Sequence, residues 1–143
     1  MCEKIAYNHG KTTPDLGVFI SNYQRALARE MDTRALPDRV LYNQKKSELG
    51  EKGLLAVIEA KMGQSDFVLL ENDFPYTNLI PIGSSLKQYC LWSKDEDKLT
   101  TDAINMLVED RFPNRPAFIF RHCGDLISIR KIPHAHIIVD FKS

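Results

Sequence analysis

Apolar and aromatic residues recur at helical spacing in two stretches of the N-terminal half of the chain. In the first stretch Thr13 can cap a helix and Pro14 suits its first position. Six residues then recur at helical spacing: Leu16, Phe19, Ile20, Tyr23, Leu27 and Met31. This pattern predicts an amphipathic helix over residues 14–31. Residues 32–52 are polar and mixed, which favours a loop with or without a short helix, and residues 54–62 are helical in pattern up to Gly63.

The second half of the chain changes to short apolar runs separated by turn residues. These runs predict strands at residues 67–70, 86–92, 117–121, 126–131 and 134–141, with a further short strand at 79–82. Residues 72–76 and 123–125 have the composition of turns. Between the strands, Thr100 can cap a helix that runs to about residue 110, with three residues on its buried side: Ala103, Met106 and Leu107.

Strands that follow one another through short turns pair in antiparallel fashion. The sequence therefore predicts an α+β fold, in which helices pack on an antiparallel sheet of about five strands and the N-terminal extension is helical. Residues 1–143 are expected to form a single domain, with a helical part at 1–65 and the sheet part at 66–143, because no linker-like composition separates them.

Composition and charge narrow the classes of function. Of the 143 residues, 43% are hydrophobic and 27% are charged, and 19 basic residues balance 19 acidic ones. Because no net field attracts a polyanion, nucleic acid and anionic membranes are not expected partners. Three cysteines without framework spacing predict reduced thiols. Together with the lack of a signal-peptide pattern or an apolar run of membrane-spanning length, they predict a protein of the cytoplasm, with the nucleus also open.

Candidate chemistry centres on the last predicted strand. His134 and His136, two of the four histidines, stand two positions apart in an apolar run. Alternate residues of a strand point to the same side, so both imidazoles are expected on one face of the sheet. Such a pair fits nucleophilic phosphoryl chemistry or metal binding better than packing, and a structural pair of hydrogen-bonded histidines at a sheet edge also stays open.

Two segments resemble a known superfamily. Residues 70–76, Leu-Glu-Asn-Asp-Phe-Pro-Tyr, resemble the N-D-F-P turn of galactose-1-phosphate uridylyltransferases and the N-x-F-P-Y turn of diadenosine polyphosphate phosphorylases. Residues 133–136, Pro-His-Ala-His, resemble the P-H-P-H segment of the same uridylyltransferases and, more loosely, the H-x-H-x-H strand of histidine-triad hydrolases. The combination of this turn with residues 89–93, Tyr-Cys-Leu-Trp-Ser, resembles the sequences of one branch of the superfamily. That branch includes a fungal N-acetylglucosamine-inducible protein. The resemblance extends roughly from Phe67 to Phe141 and implies a histidine-triad-like sheet.

The resemblance also implies a reaction. In these enzymes the second histidine of the H-x-H segment attacks the α-phosphate of a nucleotide, and water, phosphate or a sugar phosphate resolves the nucleotidyl-histidine. By position, His136 is the expected nucleophile, and His134 orients its ring or contacts phosphate. The resemblance further implies that Asn72 or Asp73 binds the ribose hydroxyls. It also implies that Phe74 or Tyr76 lines the base pocket.

The segment departs from the superfamily at two places. The third position of the motif, a histidine in the hydrolases and a glutamine in the uridylyltransferases, is Ile138 here. Isoleucine cannot donate a hydrogen bond to a phosphate oxygen, and losing one such donor can cost on the order of 10²–10³ in rate. Small polar residues are expected before the histidines, where Arg130, Lys131 and Ile132 stand. Arg130 can substitute as a phosphate contact if the strand alternation continues through Pro133.

Three functions stay open at this point. The first is a nucleotide phosphoanhydride hydrolase or nucleotidyltransferase that uses His136, or His134 if His136 fills the third motif position. The second is a catalytically inactive module that binds a nucleotide or a protein. The third is a metal site on the H-x-H strand, completed by His122 or Cys123. The resemblance implies no cofactor, a nucleotide or nucleotide-sugar ligand, and a homodimer joined through sheet edges.

Overall fold

Five strands of the chain form one antiparallel sheet. The computed structural model describes residues 5–33, 36–72, 76–121 and 133–142. In chain order the elements are β1 (Ile5–His9), α1 (Pro14–Leu27), α2 (Leu36–Met62), β2 (Phe67–Glu71), β3 (Leu86–Ser93), a 3-10 turn (Glu96–Lys98), α3 (Thr101–Arg111), β4 (Ala117–Arg121) and β5 (His134–Asp140). The order in the sheet is β1-β4-β5-β3-β2. The predicted α+β class with a five-stranded antiparallel sheet is therefore confirmed.

Helix α1 begins at the predicted cap. The Thr13 hydroxyl accepts a hydrogen bond from the backbone N–H of Leu16 at 3.2 Å, as an N-cap residue does. The same hydroxyl donates to the buried carboxylate of Asp140 at 2.5 Å, so the start of α1 is fixed to the end of β5. The helix ends at Leu27, four residues before the predicted end, because the backbone turns into the left-handed region at Arg29, where φ is 61°.

Two parts of the N-terminal region differ from the prediction. Residues 5–9 are not helical but form the edge strand β1, which pairs with β4. Residues 36–52, for which the sequence favours a loop with or without a short helix, belong entirely to the helical segment α2. This segment is kinked at Gly50, where φ is 68°, a backbone conformation that glycine adopts without the steric penalty of a side chain.

Two further predictions, a short strand at residues 79–82 and the buried side of α3, differ from the structure. The short strand expected at residues 79–82 is instead a turn, in which the Leu79 N–H donates to the Tyr76 carbonyl at 3.0 Å. In α3, Met106 is exposed rather than buried, and the fully buried residues are Ile104 and Val108. The strand expected at 126–131 and the turn at 123–125 lie outside the described residues.

Helices cover both faces of the sheet. On one face, α3 contributes Ile104 and Val108 to a buried cluster with the inward residues of β4 and β5, which we name the α3-side cluster. On the other face, α1 contributes Leu16 and Phe19 to the α1-side cluster, whose members also include Tyr76, Phe118, Phe120 and Ile138. The C-terminal half of α2 contributes Ile58 to the α2-side cluster, whose members also include Cys90 and Trp92. Among the described residues, no helix has both the length and the apolarity needed to cross a membrane.

Candidate functional site

The two predicted histidines lie side by side on one face of the sheet. In β5 the alternation of the strand places His134, His136, Ile138 and Asp140 on the face that α1 and α2 cover. The ring centroids of His134 and His136 are 5.3 Å apart, and the planes meet at 82°. His134 is half-buried, whereas His136 is only 8% exposed. The predicted same-face geometry of the two rings is thus present.

Aromatic rings and a thiol surround His136. Its cross-strand neighbours are Cys90 on β3 and Phe120 on β4. The Phe120 ring stacks on the imidazole with a centroid distance of 4.9 Å and an interplanar angle of 17°. The Tyr76 ring also contacts the imidazole, with a centroid distance of 5.5 Å and an interplanar angle of 37°. Because Phe120 and Tyr76 belong to the α1-side cluster and Cys90 to the α2-side cluster, His136 lies at the boundary of two apolar clusters.

A buried glutamine links the predicted turn to His136. The backbone N–H of Tyr76 donates to Gln88 Oε1 at 2.8 Å, and Gln88 Nε2 lies 3.1 Å from His136 Nδ1. The Cys90 sulfur is 3.6 Å from the same ring nitrogen. Gln88 is 2% exposed and stands directly across from Ile138 in the sheet. Gln88 is not among the site residues predicted from the sequence, although its position between Leu86 and Cys90 on one side of a strand indicates a buried polar residue.

The predicted turn approaches the histidines at one of its described residues. Tyr76 is 7% exposed and contacts His136, as described above. Asn72 is half-buried, and its backbone N–H extends the β2–β3 ladder by donating to the Gln88 carbonyl at 2.9 Å. Asp73 and Phe74 lie outside the described residues, so their expected roles stay predictions. The same holds for Arg130.

An ion pair between the buried Arg121 and the half-buried Glu96 holds the start of β5, where His134 stands. Arg121 Nε donates to the His134 carbonyl at 3.0 Å, and its Nη2 donates to Glu96 at 2.8 Å. Arg121 is 5% exposed, so this charge depends on both partners, and removing Glu96 would leave it uncompensated in a low-dielectric setting. The His134 ring packs on Trp92 at a centroid distance of 4.6 Å. The backbone and the ring of His134 are therefore both fixed by contacts.

The third motif position is part of the core. Ile138 is fully buried in the α1-side cluster, with Phe118 and Gln88 as its cross-strand neighbours. It contributes packing and no hydrogen bond to the histidine face.

The described residues offer little for a metal ion. Within residues 5–33, 36–72, 76–121 and 133–142, no group of three or more His, Cys, Asp or Glu side chains is arranged to hold one. His122 and Cys123, the expected completing ligands, lie outside those ranges. A metal site on the H-x-H strand therefore stays a prediction.

The elements above define an α+β protein whose antiparallel sheet carries a histidine pair on a helix-covered face. A crystal structure of a protein named HTC1 is similar to it, with a TM-score of 0.55 and 15% sequence identity, over 86% of this chain and 83% of that chain. A similarity at this identity shows a shared fold alone. No protein-family model matches the chain, and no curated protein matches its sequence.

Proposed function

We propose that this chain is a histidine-triad-like module that binds a nucleotide or a nucleotide sugar without transferring its nucleotidyl group. Two features support the binding part of this proposal. The first is the resemblance of residues 70–76 and 133–136 to the uridylyltransferase segments. The second is that Tyr76, the last residue of the first segment, contacts His136 of the second, as a shared binding site requires. Imidazole N–H groups are good donors to phosphate oxygens.

The burial of Ile138 is the observation that favours binding over turnover. In the superfamily the third motif side chain donates a hydrogen bond to a phosphate oxygen. Ile138 is fully buried and apolar, so it can make no such bond. A donor that stabilises charge in the transition state is worth about 10²–10³ in rate, whereas the ground-state affinity for a nucleotide depends on many further contacts.

A second candidate function is hydrolysis or transfer at a nucleotide phosphoanhydride through His136. The edge-to-face contact of the two imidazoles favours it, because His134 is then close enough to orient the nucleophile. In this reaction a His136 nitrogen would form a bond to the α-phosphorus while the bond to the leaving phosphate oxygen breaks. Water or a sugar phosphate would then take the nucleotidyl group and restore the imidazole.

Isothermal titration calorimetry with AMP, ADP, ATP and UDP-glucose tests the binding proposal. We expect one of these nucleotides to bind, and His136→Ala and His134→Ala to weaken it by about tenfold or more, as loss of a hydrogen bond to a charged group does. His9→Ala is the matched control, because His9 lies on β1 and pairs with Glu109 of α3. Equal affinities in all three variants, or no binding of any nucleotide, would contradict the proposal.

Acid-quenched mass spectrometry separates the two candidate functions. The protein is incubated with each nucleotide, digested after the quench, and searched for a nucleotidyl group on the β5 peptide. The binding module predicts no adduct and no nucleotide turnover. An adduct that His136→Ala abolishes would establish the second candidate instead.

The expected homodimer and the cytoplasmic location belong to the same proposal. The sheet ends in the edge strands β1 and β2, and an edge strand can pair with a second copy. Sedimentation equilibrium gives the mass that tests the dimer, and cell fractionation tests the location.

A further inference from the structure

We infer that Gln88 is a positioning residue that holds His136 as its Nε2–H tautomer. His136 would then offer the site a hydrogen-bond donor and not a lone pair. This inference deepens the proposed function, on which its consequence for a ligand rests. It assigns to the ligand an atom that accepts a hydrogen bond, such as a phosphate oxygen.

The orientation of the Gln88 amide follows from its partner in the turn. A backbone N–H can only donate, so the group that faces the Tyr76 N–H at 2.8 Å must be the amide oxygen of Gln88. The amide NH₂ group of Gln88 consequently faces His136 Nδ1 at 3.1 Å. Since NH₂ only donates, Nδ1 must accept with its lone pair, and the proton of the neutral ring is on Nε2.

Any other placement of the ring proton or the Gln88 amide would bring two hydrogen-bond donors face to face. A proton on Nδ1 would face the NH₂ group of Gln88, and turning the amide over would bring that NH₂ group against the Tyr76 N–H. All three residues are less than a tenth exposed, so water cannot relieve either contact. The Cys90 thiol, with its sulfur 3.6 Å from Nδ1, can donate to the same lone pair and favours the same tautomer.

The tautomer limits what His136 can bind. A metal ion needs a nitrogen lone pair, and so does attack on phosphorus. In the Nε2–H tautomer the Nδ1 lone pair faces Gln88, and Nε2 carries the proton. An oxygen of a phosphate group, which accepts hydrogen bonds, is the ligand atom that matches Nε2–H.

Nitrogen-15 NMR of the native protein tests the tautomer directly. Long-range ¹H–¹⁵N correlations of neutral His136 should show an unprotonated Nδ1 and a protonated Nε2, with an excess over the other tautomer of about tenfold or more. A protonated Nδ1 in the neutral ring would overturn the inference. This measurement needs no variant and no ligand.

A glutamate in place of Gln88 should reverse the pattern. In Gln88→Glu one carboxylate oxygen can still accept from the Tyr76 N–H, while the other faces Nδ1 and accepts a proton there. We therefore expect a protonated Nδ1 in this variant. Gln44→Glu, at an exposed position of α2, is the matched control and should give the native spectrum. An unprotonated Nδ1 in folded Gln88→Glu would contradict the role of Gln88.

Calorimetry with AMP distinguishes failure of this inference from failure of the proposed function. If AMP and the other nucleotides do not bind although native His136 is the Nε2–H tautomer, the proposed function fails and the role of Gln88 stands. If AMP binds to a protein whose His136 carries its proton on Nδ1, the function stands and the inference fails.

Discussion

Ile138 lies on the same face of β5 as the two histidines, but it belongs to the hydrophobic core. It follows His134 and His136 in the alternation of β5, yet it packs with Phe118 in the α1-side cluster. A polar residue faces it from the neighbouring strand, where Gln88 stands directly across. Hydrogen-bonding capacity at this level of the sheet therefore comes from β3 and not from β5.

Substitutions at Ile138 should behave as substitutions in a core. We expect Ile138→Val to lower the free energy of unfolding by about 0.5–1.5 kcal/mol, and Ile138→Gln to cost more because it adds a buried amide penalised by about 1–3 kcal/mol. Urea denaturation followed by circular dichroism measures both. Val57→Gln, at an exposed position of α2, is the control and should change stability by less than about 0.5 kcal/mol. Native-like stability of Ile138→Gln would contradict the core assignment.

The histidine pair was predictable from the sequence, whereas the contact of Gln88 with His136 was not. The period of a strand places residues i and i+2 on one face, so the geometry of His134 and His136 followed from local rules. The contact of Gln88 with His136 depends on how β3 pairs with β5, where Cys90 lies opposite His136. Such a pairing register joins segments far apart in the chain, and no local pattern states it.

At the scale of elements, the missed helix and strand have different physical causes. The first half of α2 exposes apolar residues such as Val40 and Leu41, so its apolar positions do not mark one buried side. Strand β1 is short, and its partner β4 is distant in sequence, so its conformation depends on tertiary pairing. Helices α1 and α3, by contrast, carry threonine caps whose hydrogen bonds are local.

The contact between β1 and α3 predicts a loss of stability at alkaline pH. The Tyr7 hydroxyl donates to Asn105 Oδ1 at 2.9 Å. Burial, with a smaller contribution from Asp102, raises the pKa of Tyr7 from 10.0 to about 12. Because this pKa is higher in the folded state, the contribution of Tyr7 to stability is complete below pH 10 and is lost as the pH rises towards 12.

Tyr7→Phe should therefore change the shape of the pH profile. Below pH 10 we expect the variant to be less stable by about 0.5–1.5 kcal/mol, the value of one hydrogen bond. Between pH 10 and 12 its stability should fall less steeply than that of the native protein. Urea unfolding at a series of pH values measures both effects. Parallel profiles of Tyr7→Phe and the native protein would refute the assignment.

At the scale of the whole molecule, polar contacts fix both ends of the central strand β5. Arg121 holds the backbone at its start through the His134 carbonyl, and Thr13 holds the Asp140 carboxylate at its end. The short turns of the sequence predicted an antiparallel sheet, but they could not predict the order β1-β4-β5-β3-β2, which depends on connections between distant segments. The position of the histidines relative to both helical layers follows from that order.

All three apolar clusters include residues of the same sheet, so we expect the molecule to unfold as a unit. Ile104→Ala, in the α3-side cluster, should lower the free energy of unfolding by about 2–5 kcal/mol. The single tryptophan, Trp92, lies in the α2-side cluster on the opposite face, so its fluorescence reports on a region that Ile104 does not belong to. In urea, the fluorescence transition and the circular dichroism transition of Ile104→Ala should shift together, since small domains unfold cooperatively.

Met106→Ala on the same helix is the control, because Met106 is 75% exposed and its truncation should change the free energy of unfolding by less than about 0.5 kcal/mol. If the Trp92 transition stayed at its native midpoint while the helical signal shifted, the α2 side of the sheet would be an independently folding part and the histidine face would not depend on α3.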